Sequence, residues 1–161
     1  MDSSPCHSPV AIVTTPSESC SPYPGSRSIH EAVHHSPYMQ KPFFSIIIPA
    51  YNLENYIAAA LQSVLVQTFQ DFEIIIVENN SKTVEIFDYY KEIDGRNSVH
   101  VVYWDREFNY SAINNFGVSY AKGDYLVCLN NDMEIISADW IEELLGHCQR
   151  AGTGIVGARL Y

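Results

Sequence analysis

Gly123-Asp124-Tyr125-Leu126-Val127-Cys128-Leu129-Asn130-Asn131-Asp132 decides how the rest of the chain is read. Tyr125 to Leu129 carries no charge and lies between a glycine and three polar residues, the pattern of a short strand covered on both faces. Such a strand delivers two amides and a carboxylate to its C-terminal end. In open parallel sheets the crevice outside the carboxyl ends of the strands is the customary ligand site, and this set of groups suits a hydrated cation or a ribose. It suits a plain polar turn equally well, because Asn and Asp are favoured turn formers.

Working outward, the same layout recurs. Phe43 to Pro49 is aromatic and β-branched and reads as a first core strand stopped by its proline, followed by Ala50-Tyr51-Asn52 as a loop. Asn52 suits the N-cap of a helix carrying Ile57, Leu61, Val64 and Leu65 and ending near Gln67. Phe72 to Val77 is a second strand, ending in Glu78-Asn79-Asn80-Ser81, and a helix over 83–93 is broken by Asp94-Gly95. Val99 to Tyr103 is a third strand. A helix with Ile113, Phe116 and Tyr120 on one face follows, with Gly123 as its C-terminal stop. After the central stretch, Ser137 is placed to cap a helix bearing Ile141, Leu144, Leu145 and Cys148, and Ile155 to Ala158 begins another strand. Strands alternating with helices of this length predict βαβ units, hence an α/β fold with a mainly parallel three-layer α/β/α sheet.

Composition divides the chain. Residues 1–42 hold seven of the eight prolines, nine serines and four of the six histidines, so they read as a disordered tail, leaving 43–161 as the folded domain. The formal charge is −10; the tail contributes three acids and two bases, which leaves −9 on the rest. That balance excludes a footprint for a nucleic-acid backbone, though not a single nucleotide held with a cation. Cys128 and Cys148 fall at apolar positions of a predicted strand and helix and read as buried thiols of a reducing compartment. With no signal-like opening and no apolar run near ~18 residues, the expectation is a soluble, cytoplasmic protein. His30-Glu31-Ala32-Val33-His34 matches the HExxH zinc motif, but it lies in the Ser/Pro-rich tail between Gly25 and Pro37, without room for the packed helix that motif needs, and it is read as a chance match.

Three predicted strands end in polar clusters, Ala50-Tyr51-Asn52, Glu78-Asn79-Asn80-Ser81 and Asn130-Asn131-Asp132, and parallel strands bring them to one edge. Their convergence points to a nucleotide. No GxGxxG and no P-loop motif is present, so the phosphates need a cation, for which Asp132 is the best-placed ligand.

These pieces resemble the inverting GT-A glycosyltransferases of family 2. The likeness runs in order through Phe44 to Asn52, Gln67-Thr68-Phe69, Phe72 to Ser81, Asn114-Asn115 through Ala121-Lys122-Gly123-Asp124-Tyr125, and Asn130-Asn131-Asp132, over nearly all of 43–161. The Glu-Asn-Asn-Ser and Asn-Asn-Asp forms are similar to a rhamnosyltransferase-like subgroup of cell-surface polysaccharide synthesis. The resemblance implies that Pro49, Ala50 and Tyr51 line the base pocket, that Glu78 and Asn79 stand near base and ribose, and that Asn131 and Asp132 occupy the DxD position, with Asp132 holding Mg2+ or Mn2+ against the diphosphate. It implies a UDP- or dTDP-sugar donor and a glycan or lipid-linked acceptor; peripheral membrane association is left open. Asn79 and Asn131 replace more usual aspartates. The family's acceptor half and its general base are expected beyond Tyr161, so the chain reads as the donor-binding half of a transferase, with a donor-binding fragment without turnover as the alternative. A receiver-like signalling module is the reading from another class; it expects a phosphoacceptor Asp and a strand-end Lys, where the middle strand offers Glu78.

Overall fold

A computed structural model describes residues 11–14, 41–52 and 54–158. Six strands form one sheet: β1 (Ala11–Thr14), β2 (Phe44–Ala50), β3 (Phe72–Glu78), β4 (Val99–Tyr103), β5 (Tyr125–Cys128) and β6 (Ile155–Gly157). Among the described residues, four helices connect them: α1 (Glu54–Leu65), α2 (Val84–Ile93), α3 (Tyr110–Val118) and α4 (Trp140–Cys148). The strand order is β4-β3-β2-β5-β1-β6. β2, β3, β4 and β5 are parallel, while β1 runs antiparallel to both β5 and β6.

The core follows from the apolar runs. Every residue of β2 and β3 is buried, and Ile46, Ile48, Ile74 and Ile76 face the larger cluster together with Ile57, Leu61 and Val64 of α1, Ile86 and Tyr90 of α2, and Ile141 and Leu145 of α4. Ile47, Ile75 and Val77 point to the opposite face and pack with Ile113 of α3 and the flanking Trp104 and Phe116. Helices therefore cover both faces, which gives the three-layer α/β/α arrangement. Burying each of these Ile side chains contributes about 1.5–3 kcal/mol, before the entropy of ordering the chain is subtracted.

Pro49 lies inside β2, opposite Val77, rather than ending it. Along β2 the odd-numbered residues turn their backbone groups toward β5, as Ile47 does in accepting from Leu129 N–H at 2.9 Å, and the even ones toward β3, as Ala50 does in accepting from Asn79 N–H at 2.8 Å. The β5 ladder stops at Ile47, so the missing N–H of Pro49 breaks no pairing.

Gly123 was expected to stop α3, but the helix ends at Val118. The glycine serves a close approach instead: a Cβ there would lie 2.5 Å from Ser45 N and 2.6 Å from Phe44 C. Its N–H donates to Ser45 Oγ at 2.7 Å, Ser45 Oγ donates to Glu73 Oε1 at 2.6 Å, and Lys122 N–H donates to the same Glu73 oxygen at 2.6 Å. This buried network fastens the start of β5 to β2 and β3. The N-cap of α4 is Asp139 rather than Ser137, and Cys128 is half-buried rather than buried.

The reading of 1–42 as a disordered tail is corrected at four residues. Ala11-Ile12-Val13-Thr14 is uncharged and mostly β-branched, and it enters the sheet as β1. The remainder of 1–40, including the His30–His34 motif, lies outside the described residues. Among those described, no helix is long and apolar enough to cross a membrane.

Candidate functional site

The register aligns the carboxyl ends of the parallel strands. Ala50 of β2 lies opposite Glu78 of β3, and Glu78 opposite Tyr103 of β4. β5 leaves its ladder at Cys128, opposite Ile47, so Asn130, Asn131 and Asp132 emerge beside the last residues of β2. β2 is also where the strand order reverses, with β3 on one side and β5 on the other, the position at which open α/β sheets form their crevice. The three polar clusters thus reach one edge.

Two of them are laced together. Asn52 does not cap α1; its backbone is left-handed at φ 48°, its N–H donates to Ser81 Oγ at 3.0 Å, and its Oδ1 accepts from Lys82 N–H at 3.0 Å. Asn tolerates that conformation better than other residues with a side chain, and Asn80 in the facing loop adopts it too, at φ 56°. Glu78 is 1% exposed, with Oε1 accepting from Ser81 N–H at 2.5 Å and Oε2 from the Tyr90 hydroxyl at 2.8 Å. Its carboxylate is therefore turned into the protein and shapes the loop from beneath. Burial first, and then the neighbouring Glu78, push the Tyr90 hydroxyl pKa far upward, so it stays a donor.

Asn79 is buried as well. Its Nδ2 donates to the Trp104 and Arg106 carbonyls at 3.0 and 2.9 Å, and Trp104 N–H donates to the Glu78 carbonyl at 2.8 Å, so the loop after β4 is drawn to the same edge. Arg106 lies over the Trp104 ring at 5.1 Å, a cation–π contact that brings an exposed positive charge to an otherwise acidic molecule. Neither Trp104 nor Arg106 was singled out from the sequence; the signal was a Trp-Asp-Arg run directly after a predicted strand.

Of Pro49, Ala50 and Tyr51, the first two are buried in β2, and Tyr51 alone offers a face, at 43% exposure. Asn131 is 8% exposed, whereas Asp132 is exposed to solvent. Tyr110 was not anticipated either. At the first turn of α3, which Asn109 caps by accepting from Ala112 N–H at 2.9 Å, its hydroxyl lies 3.4 Å from Asn130 Oδ1. Behind the cluster, Ile135 N–H donates to Ser63 Oγ at 3.0 Å, and Thr68 holds the Ala138 carbonyl through both its N–H and its hydroxyl at 2.9 Å. The Gln67-Thr68-Phe69 segment thus straps the loop that carries Asp132.

Among the described residues, no group of three His, Cys, Asp or Glu side chains is placed to hold a metal ion. A single exposed carboxylate fits a hard cation that keeps its waters and is shared with phosphate oxygens, as Mg2+ commonly is, and does not fit a cation caged by protein alone.

The sequence profile described as Glycosyl transferase family 2 matches residues 45–161. The chain belongs to this family. It is 38% identical over 127 residues to the uncharacterized protein y4gI of Sinorhizobium fredii, covering 78% of this chain and 14% of that one. It is 37% identical over 126 residues to the O-antigen biosynthesis protein RfbC of Myxococcus xanthus, covering 77% of this chain and 10% of that one. The mannosyltransferase PcManGT of Pyrobaculum calidifontis, solved with GDP-Man and Mn2+, superimposes with a TM-score of 0.61 at 17% identity, over 70% of this chain and 34% of that one, a likeness of fold. This family 2 chain therefore spans about a tenth to a seventh of the length of those two curated relatives.

Proposed function

We propose that residues 43–161 are the donor-binding half of an inverting, metal-dependent glycosyltransferase that takes a sugar from a nucleotide-diphospho-sugar to a hydroxyl of a glycan or lipid-linked acceptor in cell-surface polysaccharide synthesis. The observation that carries this reading is the exposed Asp132 at the same sheet edge as Tyr51, beside the point where the strand order reverses. Family membership and the polysaccharide role in the name of the RfbC relative support it. Tyr51 offers an aromatic face for a base, Asn131 an amide for a ribose hydroxyl, and Asp132 the charge toward the diphosphate. Glu78 and Asn79 act as positioning residues, holding the loop over which the nucleoside would lie. Bound Mg2+ or Mn2+ would supply charge stabilisation for the departing nucleoside diphosphate.

Inversion needs a carboxylate within hydrogen-bond reach of the acceptor hydroxyl, and none of the acids at this edge is assigned that role. Donor binding without turnover is accordingly the second reading for these residues taken alone. The receiver-like alternative finds no support, because the acid ending the middle strand is buried and held by Ser81 and Tyr90, where a phosphoacceptor must be open. The test is calorimetric titration of the chain with UDP, dTDP and GDP, with and without Mn2+. Saturable binding of at least one of them, strengthened by Mn2+, is expected; heats indistinguishable from dilution for all three would overturn the reading.

A further inference from the structure

β4 is the outermost strand on the β3 side of the sheet. Ile74 N–H donates to the Ser98 carbonyl at 2.9 Å and Trp104 N–H to the Glu78 carbonyl at 2.8 Å, so the even-numbered residues of this stretch turn their backbone groups toward β3. Val99, Val101 and Tyr103 consequently turn theirs outward, to the open edge. The sequence of that edge is a hazard. Val99-His100-Val101-Val102-Tyr103-Trp104 contains no acid, lysine, arginine, proline or glycine and is rich in β-branched and aromatic residues, the composition that invites strand-to-strand association. The turn before it closes part of the edge. Asp94, whose own N–H ends α2 on the Tyr90 carbonyl at 2.9 Å, accepts the outward Val101 N–H on Oδ1 at 3.0 Å. Gly95 N–H donates to the Val99 carbonyl and Val99 N–H to the Arg96 carbonyl, both at 2.8 Å. Left-handed backbone at Gly95, Asn97 and Ser98, with φ of 76°, 48° and 58°, doubles the turn back so that it reaches across the edge.

We propose that the Asp94 carboxylate is a plug that keeps β4 from pairing with the β4 of a second copy of this chain. With Val99 engaged by the turn, the groups left on the edge belong to Val101 and Tyr103, and two copies related by a twofold axis would place Val101 of one opposite Tyr103 of the other. Antiparallel residues of that kind exchange both of their N–H···O=C bonds, and each exchange requires the Val101 N–H that Asp94 holds. The side chains favour the same register. Val101 meets Tyr103 on one face, a β-branched residue against an aromatic one, and the Val102 residues of the two copies meet on the other. Tyr103 is 56% exposed and its ring is stacked on Phe87 at 6.5 Å, so this surface is already ordered for a partner. Among the described residues, no other side chain bonds to the backbone of Val99–Tyr103, so the plug rests on one carboxylate.

The experiment compares the full 161-residue chain with its Asp94→Ala and Asp94→Asn variants by sedimentation equilibrium across a concentration series. Asp94→Ala removes the acceptor and should tighten self-association by at least about tenfold, whereas Asp94→Asn keeps an Oδ1 acceptor and should match the parent. Hydrogen exchange gives a readout that a merely structural role would not move: the Val101 and Tyr103 amides of Asp94→Ala should exchange freely in dilute solution and become protected as the concentration rises. Adding Tyr103→Pro removes an outward N–H and no bond to β3, and the double variant should return to the parent's association. If Asp94→Ala does not fold, Asp94→Ser replaces it, because its oxygen stops one bond short of the Val101 amide while the N–H that caps α2 is retained. Association of Asp94→Ala no stronger than the parent's would overturn the proposal. So would association of Asp94→Asn as strong as that of Asp94→Ala, association that survives Tyr103→Pro, or a parent dimer that Tyr103→Pro alone dissociates.

Discussion

The Tyr90 hydroxyl donates to Glu78 Oε2 at 2.8 Å, so the acid that ends β3 is held from inside the protein by the helix that follows it. Replacing the hydroxyl leaves a buried carboxylate oxygen without its donor, a loss of about 1–3 kcal/mol. Tyr90→Phe should therefore lower stability by that amount in urea unfolding at pH 7. Because the folded state raises the Tyr90 pKa above its ordinary value of 10.0, the hydroxyl's stabilising contribution is complete below pH 10 and declines as the pH climbs above it. The gap between parent and variant should narrow in that alkaline range. A gap that widened there would contradict the assigned sign.

Asp132→Asn keeps the size of the side chain and removes the charge that a hard cation prefers. Binding of a nucleoside diphosphate in Mn2+ should weaken by about tenfold or more, while binding without metal, already poor for a chain of net charge −10, should change little. Asn131→Ala should cost less in Mn2+, since a neutral amide is the poorer metal ligand. Equal affinities of parent and Asp132→Asn in Mn2+, with both folded by circular dichroism, would return Asn130-Asn131-Asp132 to the status of a turn.

Two glycines give a matched pair. Gly123→Ala drives a methyl to 2.5 Å from the Ser45 backbone nitrogen, which is fixed in a central strand, and should cost about 3 kcal/mol. Gly146 lies in α4, where a methyl would meet nothing within 4 Å, so Gly146→Ala should raise stability by about 0.5–1 kcal/mol. Thermal melts of the two variants read both signs.

Sugar transfer by the 161-residue chain alone should be undetectable with any nucleotide-sugar and hydroxyl acceptor, because none of the acids at the crevice edge is assigned the role of general base in the proposed reaction. Turnover by this chain would mean that one of its own acids serves as the base.

The parallel strands were legible because β2, β3 and β5 are charge-poor or β-branched runs ending in Asn, Glu or Asp, and the apolar periods of α1 and α4 matched the faces they bury, whereas Tyr120, expected on the apolar face of α3, lies beyond that helix and is exposed. The convergence of the strand ends followed from parallel pairing alone. What sequence could not show was direction within the site. Glu78 and Asn79 looked like ligand groups because an acid and an amide at a strand end are chemically suitable, and only the positions of Tyr90, Ser81 and Trp104 reveal that they face the protein. Asn52 was read by its helix-capping preference, but the contact across to Ser81 and Lys82 outcompetes that local role. β1 was missed because four uncharged residues inside a Pro/Ser-rich segment carry no periodic signal, and their partners lie more than a hundred residues away.

That separation sets an order of events during synthesis. Ribosomes add about 5–20 residues per second, so Thr14 is made about 6–22 s before Tyr125, its first partner in β5, and β6 follows later still. Throughout that interval β2, β3 and β4 can pair as each appears, while Ala11–Thr14 must wait. The edge of the sheet is thus completed last by one of the first segments made, and an Ile-Val pair remains open to chaperones or to neighbouring nascent chains until translation reaches Gly157.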